Sequence, residues 1–251
     1  MELHVPDIKP EVLVTFGTLA VTNTLLTSFI AVILLLVGAI ALTRKMQLIP
    51  GRRQMAIEIV IQGLLSLCEQ TGGQAARTYF PLVATLFLYI LVANWIGVVP
   101  GVGSFHIEGP NHTEITPLRG ANSDLSMTLA MALLVFLFVQ FTALKAGPKA
   151  YIMKFLWPPF IGQLELISEL VRPISLSMRL FGNIVAGFIL VEVALQLVPA
   201  GIPIIALFFE LFVGVIQALI FAILAVAFLT LAAASHGGGA EHGEASESHE
   251  H

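Results

Sequence analysis

Stretches of about 20 mostly apolar residues, the length that carries a helix across the roughly 30 Å hydrocarbon core of a bilayer, recur along this chain. Residues 21–42 form the first, uncharged between Lys9–Glu11 on one side and Arg44–Lys45 on the other. Residues 80–99 and 125–144 form the second and third, and two much longer stretches follow at 159–198 and 203–234. The segment between the first two differs. Residues 55–68 are apolar but hold Glu58, Gln62 and Ser66. There Ile57, Ile61, Leu64, Leu65 and Cys68 recur on one helical face, while Glu58, Gln62 and Glu69 make a second stripe. That pattern predicts a helix lying at the membrane interface rather than crossing it. The expected fold is an all-α polytopic membrane protein with five membrane helices plus one interfacial amphipathic helix.

Composition closes off the alternatives. Of 251 residues, 57% are hydrophobic and only 11% charged, where a soluble domain carries about 25% charged residues. This excludes a soluble enzyme, a secreted disulfide scaffold (Cys68 is the one cysteine) and a disordered chain. A net charge of −4 gives no sign of nucleic-acid binding. No cluster asks for a metal or cofactor, and none is expected. Residues 1–18 lack a basic leader and carry Glu2, Asp7 and Glu11, unlike a secretory signal. Three regions are expected: an outer-side segment 1–20, a single membrane domain 21–234, and a polar inner-side tail 235–251. The four Glu and four His of that tail could suggest metal binding, but a solvated tail is the ordinary reading. Arg44, Lys45, Arg52, Arg53 and Arg77 lie between the first two spans, and Lys145, Lys149 and Lys154 between the third and fourth. Only Lys9 and Arg119 lie on the other side. The excess of basic residues predicts the N-terminus outside and the C-terminus inside.

The last two apolar stretches are too long for an upright span. A 40-residue helix measures about 60 Å, twice the hydrocarbon thickness, so the two must project or lean. Exposed apolar ends are unfavourable, which favours a hairpin tilted well beyond the usual ~20°. The fourth span also carries Glu165, Glu169, Arg172, Ser175, Ser177, Arg179, Asn183 and Glu192, and the fifth carries Glu210 and Gln217. Ionisable groups there cost about 2.5–3.5 kcal/mol each on insertion scales and mark function by default. At about 100° per residue, Glu165, Glu169, Arg172, Arg179 and Asn183 share one sector. Glu192 lies about 140° from Arg179, and joins Glu210 as an acid pair near the turn. Glu165, Glu169 and Arg172 also fit interfacial anchoring with intrahelical ion pairs. Arg179 does not: it is too deep to reach either surface and cannot shed its charge.

The string Pro173-Ile-Ser175-Leu-Ser177-Met-Arg179-Leu-Phe-Gly182-Asn183-Ile-Val-Ala-Gly187 closely resembles the signature of subunit a of the F-type ATP synthase, the membrane stator beside the rotating c-ring. Leu91-Val-Ala-Asn94-Trp-Ile-Gly-Val-Val-Pro100, Asp124-Leu-Ser126-Met-Thr128-Leu and Ile216-Gln217-Ala-Leu-Ile-Phe221 resemble further motifs of that family. The resemblance implies that Arg179 is the stator arginine facing the c-ring carboxylate, with Asn183 and Gln217 nearby on the two tilted helices. It implies that Glu210 lines the half-channel open outside, that Glu165 and Glu169 lie in the half-channel open inside, and that Asn94 and Ser175 are further polar lining. Where the family has an acid or histidine nine residues after the arginine, this chain has Phe188; Glu192, one turn later, is the natural substitute. Implied partners are the c-ring, peripheral-stalk subunit b, the lipid bilayer and the translocated proton. The chain is not expected to be catalytic alone, and the missing targeting peptide favours a bacterial plasma membrane.

Elementary physics supports such a role. A rotor carboxylate facing lipid stays protonated, because desolvation disfavours its charge, and loses its proton beside a fixed cation. An arginine between two offset aqueous pockets also blocks a direct proton wire. Gly182, Ala186 and Gly187 would permit close helix approach. Protons fit better than sodium, which wants clustered oxygen ligands. A secondary transporter is the alternative, but it favours internal repeats and broken helices at the midplane. An intramembrane protease wants a Ser–His pair or two aspartates at depth. No span contains His, and Asp124 is the only aspartate near one.

Overall fold

The computed structural model describes residues 12–16, 19–44, 47, 51–99, 107–108, 114–115, 119–148, 151, 153, 159–197 and 201–237. Lys9, Lys45, Lys149, Lys154 and the tail beyond residue 237 lie outside the described residues. Among the described residues six long helices follow in order: α1 (Asn23–Thr43), α2 (Arg52–Gly72), α3 (Ala76–Val98), α4 (Leu125–Ala146), α5 (Pro159–Leu197) and α6 (Ile202–Gly237). All except α2 are long and apolar enough to cross a membrane. Each span agrees with its apolar run to within a few residues. Two short antiparallel hairpins were not expected: β1 (Val12–Phe16) with β2 (Leu19–Thr22), and β3 (Ile107–Glu108) with β4 (Glu114–Ile115). Val12, Val14, Thr15, Val21 and Thr22 are β-branched, a composition that suits a strand in a stretch too short to span.

Along α1 burial runs opposite to that of a soluble protein. The first turns of α1 bury Asn23, Thr24, Thr27 and Ser28, while Phe29, Ile33, Leu36, Val37 and Ile40 of the same helix are exposed. The inward polar groups are matched. Thr24 Oγ1 donates to Asp124 Oδ2 at 3.2 Å, Thr27 Oγ1 accepts from the Arg119 N–H at 3.3 Å, and Ser28 Oγ meets Tyr89 Oη at 2.6 Å. Apolar side chains outward and satisfied polar groups inward are what a hydrocarbon solvent demands. The core proper joins Val83, Phe87 and Ile90 of α3 with Val135 and Val139 of α4, Leu176 and Leu180 of α5, and Phe221, Val226 and Leu229 of α6.

Helix α2 is peripheral. Of its expected apolar face Leu64 and Cys68 turn inward and are buried, whereas Ile61 of that face is exposed, as are Ile59 and Val60. Its last turn lies so close to α6 that a Cβ at Gly72 would stand 2.3 Å from Thr230 Cγ2. Arg77 Nε pairs with Glu69 Oε1 across the corner between α2 and α3.

Helices α5 and α6, of 39 and 36 residues, form a hairpin whose turn contains Gly201 at φ +91°. That left-handed backbone is open to glycine at no steric cost. Exposed apolar side chains run along α5 from Leu164 to Leu197. At 1.5 Å per residue that band is about 50 Å long, so seating it in about 30 Å of hydrocarbon requires an axis leaning by roughly 50°.

Candidate functional site: a lateral arginine between two cavities

Arg179 stands midway along that apolar band, 15 residues after Leu164 and 18 before Leu197. Its side chain is exposed, and no hydrogen bond or ion pair joins it to another described residue. Helical spacing of four, three and four residues lines up Ser175, Arg179, Gly182 and Ala186, all exposed. A Cβ at Gly182 would meet nothing within 4 Å. The chain therefore presents a guanidinium and a strip of small residues sideways, flanked by Met178 and Leu190.

Two cavities adjoin this strip, one on each side of Arg179. The first, of about 390 Å³, runs from Arg179 and Ser175 along α5 to Arg172, Ser168 and Ile167, and is walled by Leu224 and Phe228 of α6. It extends toward the end of the bundle that carries Arg44, Arg77 and Lys145, the basic end. The Arg172 guanidinium lies 5.3 Å from the centre of the Phe228 ring. The second cavity, of about 220 Å³, begins at Asn183, one turn past Arg179. It is lined by Gly187 and Leu190 of α5 and by Phe209, Glu210 and Gly214 of α6. It lies toward the opposite end, where residues 119–124 cap the bundle. No lining residue is shared between the two.

The structure sets Glu210 against Gly187 across the hairpin, and the contact is tight. A Cβ on Gly187 would lie 3.0 Å from both Cγ and Oε1 of Glu210, so the absence of a side chain there is what admits the carboxyl. Gly214 is similarly close to Asn94: a Cβ on Gly214 would lie 3.3 Å from the Asn94 Cβ.

The remaining sequence candidates fall in three places. Asn94 is 3% exposed and sits behind the second cavity. Its Nδ2 donates to Gly214 O at 3.3 Å, and its Oδ1 accepts from Asn122 Nδ2 at 2.6 Å. Gln217 is 4% exposed, in the core beside Ala218, and its Nε2 has no hydrogen-bond partner among the described residues. Glu169 is 7% exposed, with Oε2 accepting from Gln140 Nε2 at 2.8 Å. Glu165 and Glu192 are half-buried and line neither cavity. Phe188 faces Arg119, whose guanidinium lies 5.1 Å from the ring centre. Gln140 and Asn122 were missed in the sequence. An amide inside an apolar span, as Gln140 is, was the available signal.

Sharing one angular sector did not give Glu169 and Arg179 one environment. Helix α4 accompanies α5 between the Gln140–Glu169 and Thr128–Ser177 bonds. On α5 the buried positions Glu169, Pro173, Leu176 and Leu180 mark the flank turned to the bundle, and Arg179, about 80° around the helix from Glu169, falls outside that flank.

These features define a polytopic α-helical membrane protein with a charged lateral site that two separate cavities flank. The chain belongs to the ATP synthase A chain family, whose model matches residues 25–230. It is 33% identical over 224 residues to the ATP synthase subunit a of Moorella thermoacetica, covering 88% of this chain and 95% of that one. It is 36% identical over 213 residues to the ATP synthase subunit a of Aliarcobacter butzleri, covering 82% of this chain and 86% of the relative. Membership makes it a non-catalytic, integral membrane component of the synthase, concerned with ATP synthesis and proton transport.

Proposed function

We propose that this chain is the proton-conducting stator of a rotary ATP synthase, with Arg179 presented to successive carboxylates of a c-ring. The observation that carries the reading is an exposed arginine, midway along an apolar band, at the junction of two cavities that share no wall. An arginine facing lipid there is costly, about 2.5–3.5 kcal/mol on insertion scales, and a mobile acid on a neighbouring subunit removes that cost. The small residues Gly182 and Ala186 let such a neighbour come close.

In this mechanism a rotor carboxylate travels through lipid protonated, because desolvation disfavours its anion. At the stator it meets water in one cavity and the guanidinium beside it, and both favour loss of the proton. The anion passes Arg179, takes a proton from the other cavity and returns to lipid. Arg179 cannot relay the proton itself, so ions cross only when the ring turns. Each proton supplies roughly 2.3 kcal/mol per 100 mV of membrane potential.

The 390 Å³ cavity, with Ser175 and the neighbouring Glu169 and Glu165, serves the basic end. By the excess of positive residues this end faces the cytoplasm. The 220 Å³ cavity, with Asn183 and Glu210, serves the outer side. Asn94 holds the wall behind it, Gln217 lies in the core between α6 and its neighbours, and Glu192 stands one turn beyond Phe188 toward the outer end. Subunit b is the further partner, the bilayer the setting, and the bacterial plasma membrane the location. Arg179→Ala should abolish proton-driven ATP synthesis while ATP hydrolysis by the detached catalytic head continues. Full synthesis in that variant would remove Arg179 from the mechanism.

A further inference from the structure

Gln140 is an amide in an otherwise apolar stretch of α4, and the stator mechanism makes no use of it. Its Nε2 donates to Glu169 Oε2 at 2.8 Å, and its Oε1 accepts from the Tyr151 hydroxyl. Tyr151 follows α4 at the basic end, where its N–H donates to Gly147 O at 2.9 Å. A chain of three side chains thus leads from the basic end to a carboxyl that is 7% exposed.

The polarity of this chain is set from the tyrosine. A phenol hydroxyl donating to the amide oxygen leaves the amide nitrogen facing Glu169, and a carboxylate is an acceptor only. Without the hydroxyl the amide is free to turn over and set its oxygen against the carboxylate. An amide does not hand on protons under ordinary conditions, so Gln140 orients Glu169 rather than feeding it. Beside the Gln140–Glu169 bond lies a cavity of about 20 Å³, lined by Gln140, Glu169 and Arg172 among apolar side chains. A water needs roughly 10–15 Å³ by that measure and two or more polar partners, so the cavity suits a single water. Arg172, Leu176 and Phe228 line both this cavity and the one that holds Arg179.

We propose that Gln140 and Tyr151 are positioning residues that aim the Glu169 carboxyl, through one water, at the Arg179 cavity, making Glu169 the proton station of the basic-end pathway. The inference rests on the stator reading above.

ATP-driven proton pumping by the complete synthase in proteoliposomes tests it, with the amount of assembled complex measured alongside. Gln140→Met keeps the volume and removes the amide, Tyr151→Phe removes the hydroxyl, and Glu169→Gln removes the acid. Each is expected to slow pumping about tenfold, the effect of one charged hydrogen bond on a barrier. Gln140→Met combined with Glu169→Gln should be no slower than Glu169→Gln alone. Gln140→His offers one donor and one acceptor nitrogen and should restore most of the rate. Pumping at the unmodified rate in Gln140→Met, losses that multiply in the double variant, or a histidine no better than methionine would each overturn the assignment. Arg179→Ala is run in parallel: normal pumping there defeats the stator reading, whereas its loss beside a normal Gln140→Met defeats only the positioning role.

Discussion

Gly187 offers a test in which stability and transport move in different directions. A methyl group at this position would lie 3.0 Å from Glu210 Cγ and Oε1, against an ordinary carbon contact of about 3.5–4.0 Å. The carboxyl must therefore retreat by about 0.5 Å or more. It is the far end of a flexible side chain, so Gly187→Ala costs little in packing, and alanine gains about 0.8–1.0 kcal/mol of helix propensity over glycine. The variant should assemble as well as the unmodified chain, or slightly better. Its proton pumping should fall, because Glu210 is displaced within the 220 Å³ cavity. Gly187→Val fills the same space with a branched side chain. It should add an overpacking cost of about 1–3 kcal/mol and pump more slowly still. Quenching of a pH-sensitive dye in inverted membrane vesicles reads the rate, and thermal release of the subunit in detergent reads the stability. Unimpaired pumping by Gly187→Val, in normally assembled complexes, would refute the placement of Glu210 on the proton path.

Two further outcomes follow from the same geometry. Glu210→Gln should slow pumping more than Glu192→Gln, since Glu210 lines the cavity and Glu192 does not; equal losses in the same assay would assign Glu192 the part of the group absent at Phe188. Asn94→Leu removes the donor to Gly214 O and strands the Asn122 amide, at a cost of about 1–3 kcal/mol for the unpaired buried group. It should lower the Tm of the detergent-solubilised complex, and an unchanged Tm would show that the Asn94–Asn122 link carries no stability.

The spans were legible because hydrocarbon sets a length that the sequence has to meet. The runs at 80–99 and 125–144 correspond to Ala76–Val98 and Leu125–Ala146. The excess length of α5 and α6 was legible for the same reason. Which groups face one another was not, since helical periodicity reports an angle and not the neighbour at each height. Glu169 and Arg179 share a sector, yet Glu169 at one edge of it meets Gln140 of α4 while Arg179 at the other edge is exposed. Gln140 passed unnoticed because one amide barely alters the hydropathy of a 22-residue helix. Glu192 looked like a partner for Glu210 in sequence, but among the described residues no polar contact joins them. Glu210 instead packs on Gly187.

Cysteine cross-linking from the lateral strip addresses the central claim most directly. Gly182 is the best anchor: it is exposed, a side chain there meets nothing within 4 Å, and the native Cys68 is buried and out of reach. In membranes carrying Gly182→Cys and single cysteines placed along the outer helix of the c-ring, a disulfide should form at positions within a turn of the ring carboxylate. Disulfides only at other subunits, or none while the thiol reacts freely with a lipid-soluble reagent, would show that Arg179 faces something other than the rotor.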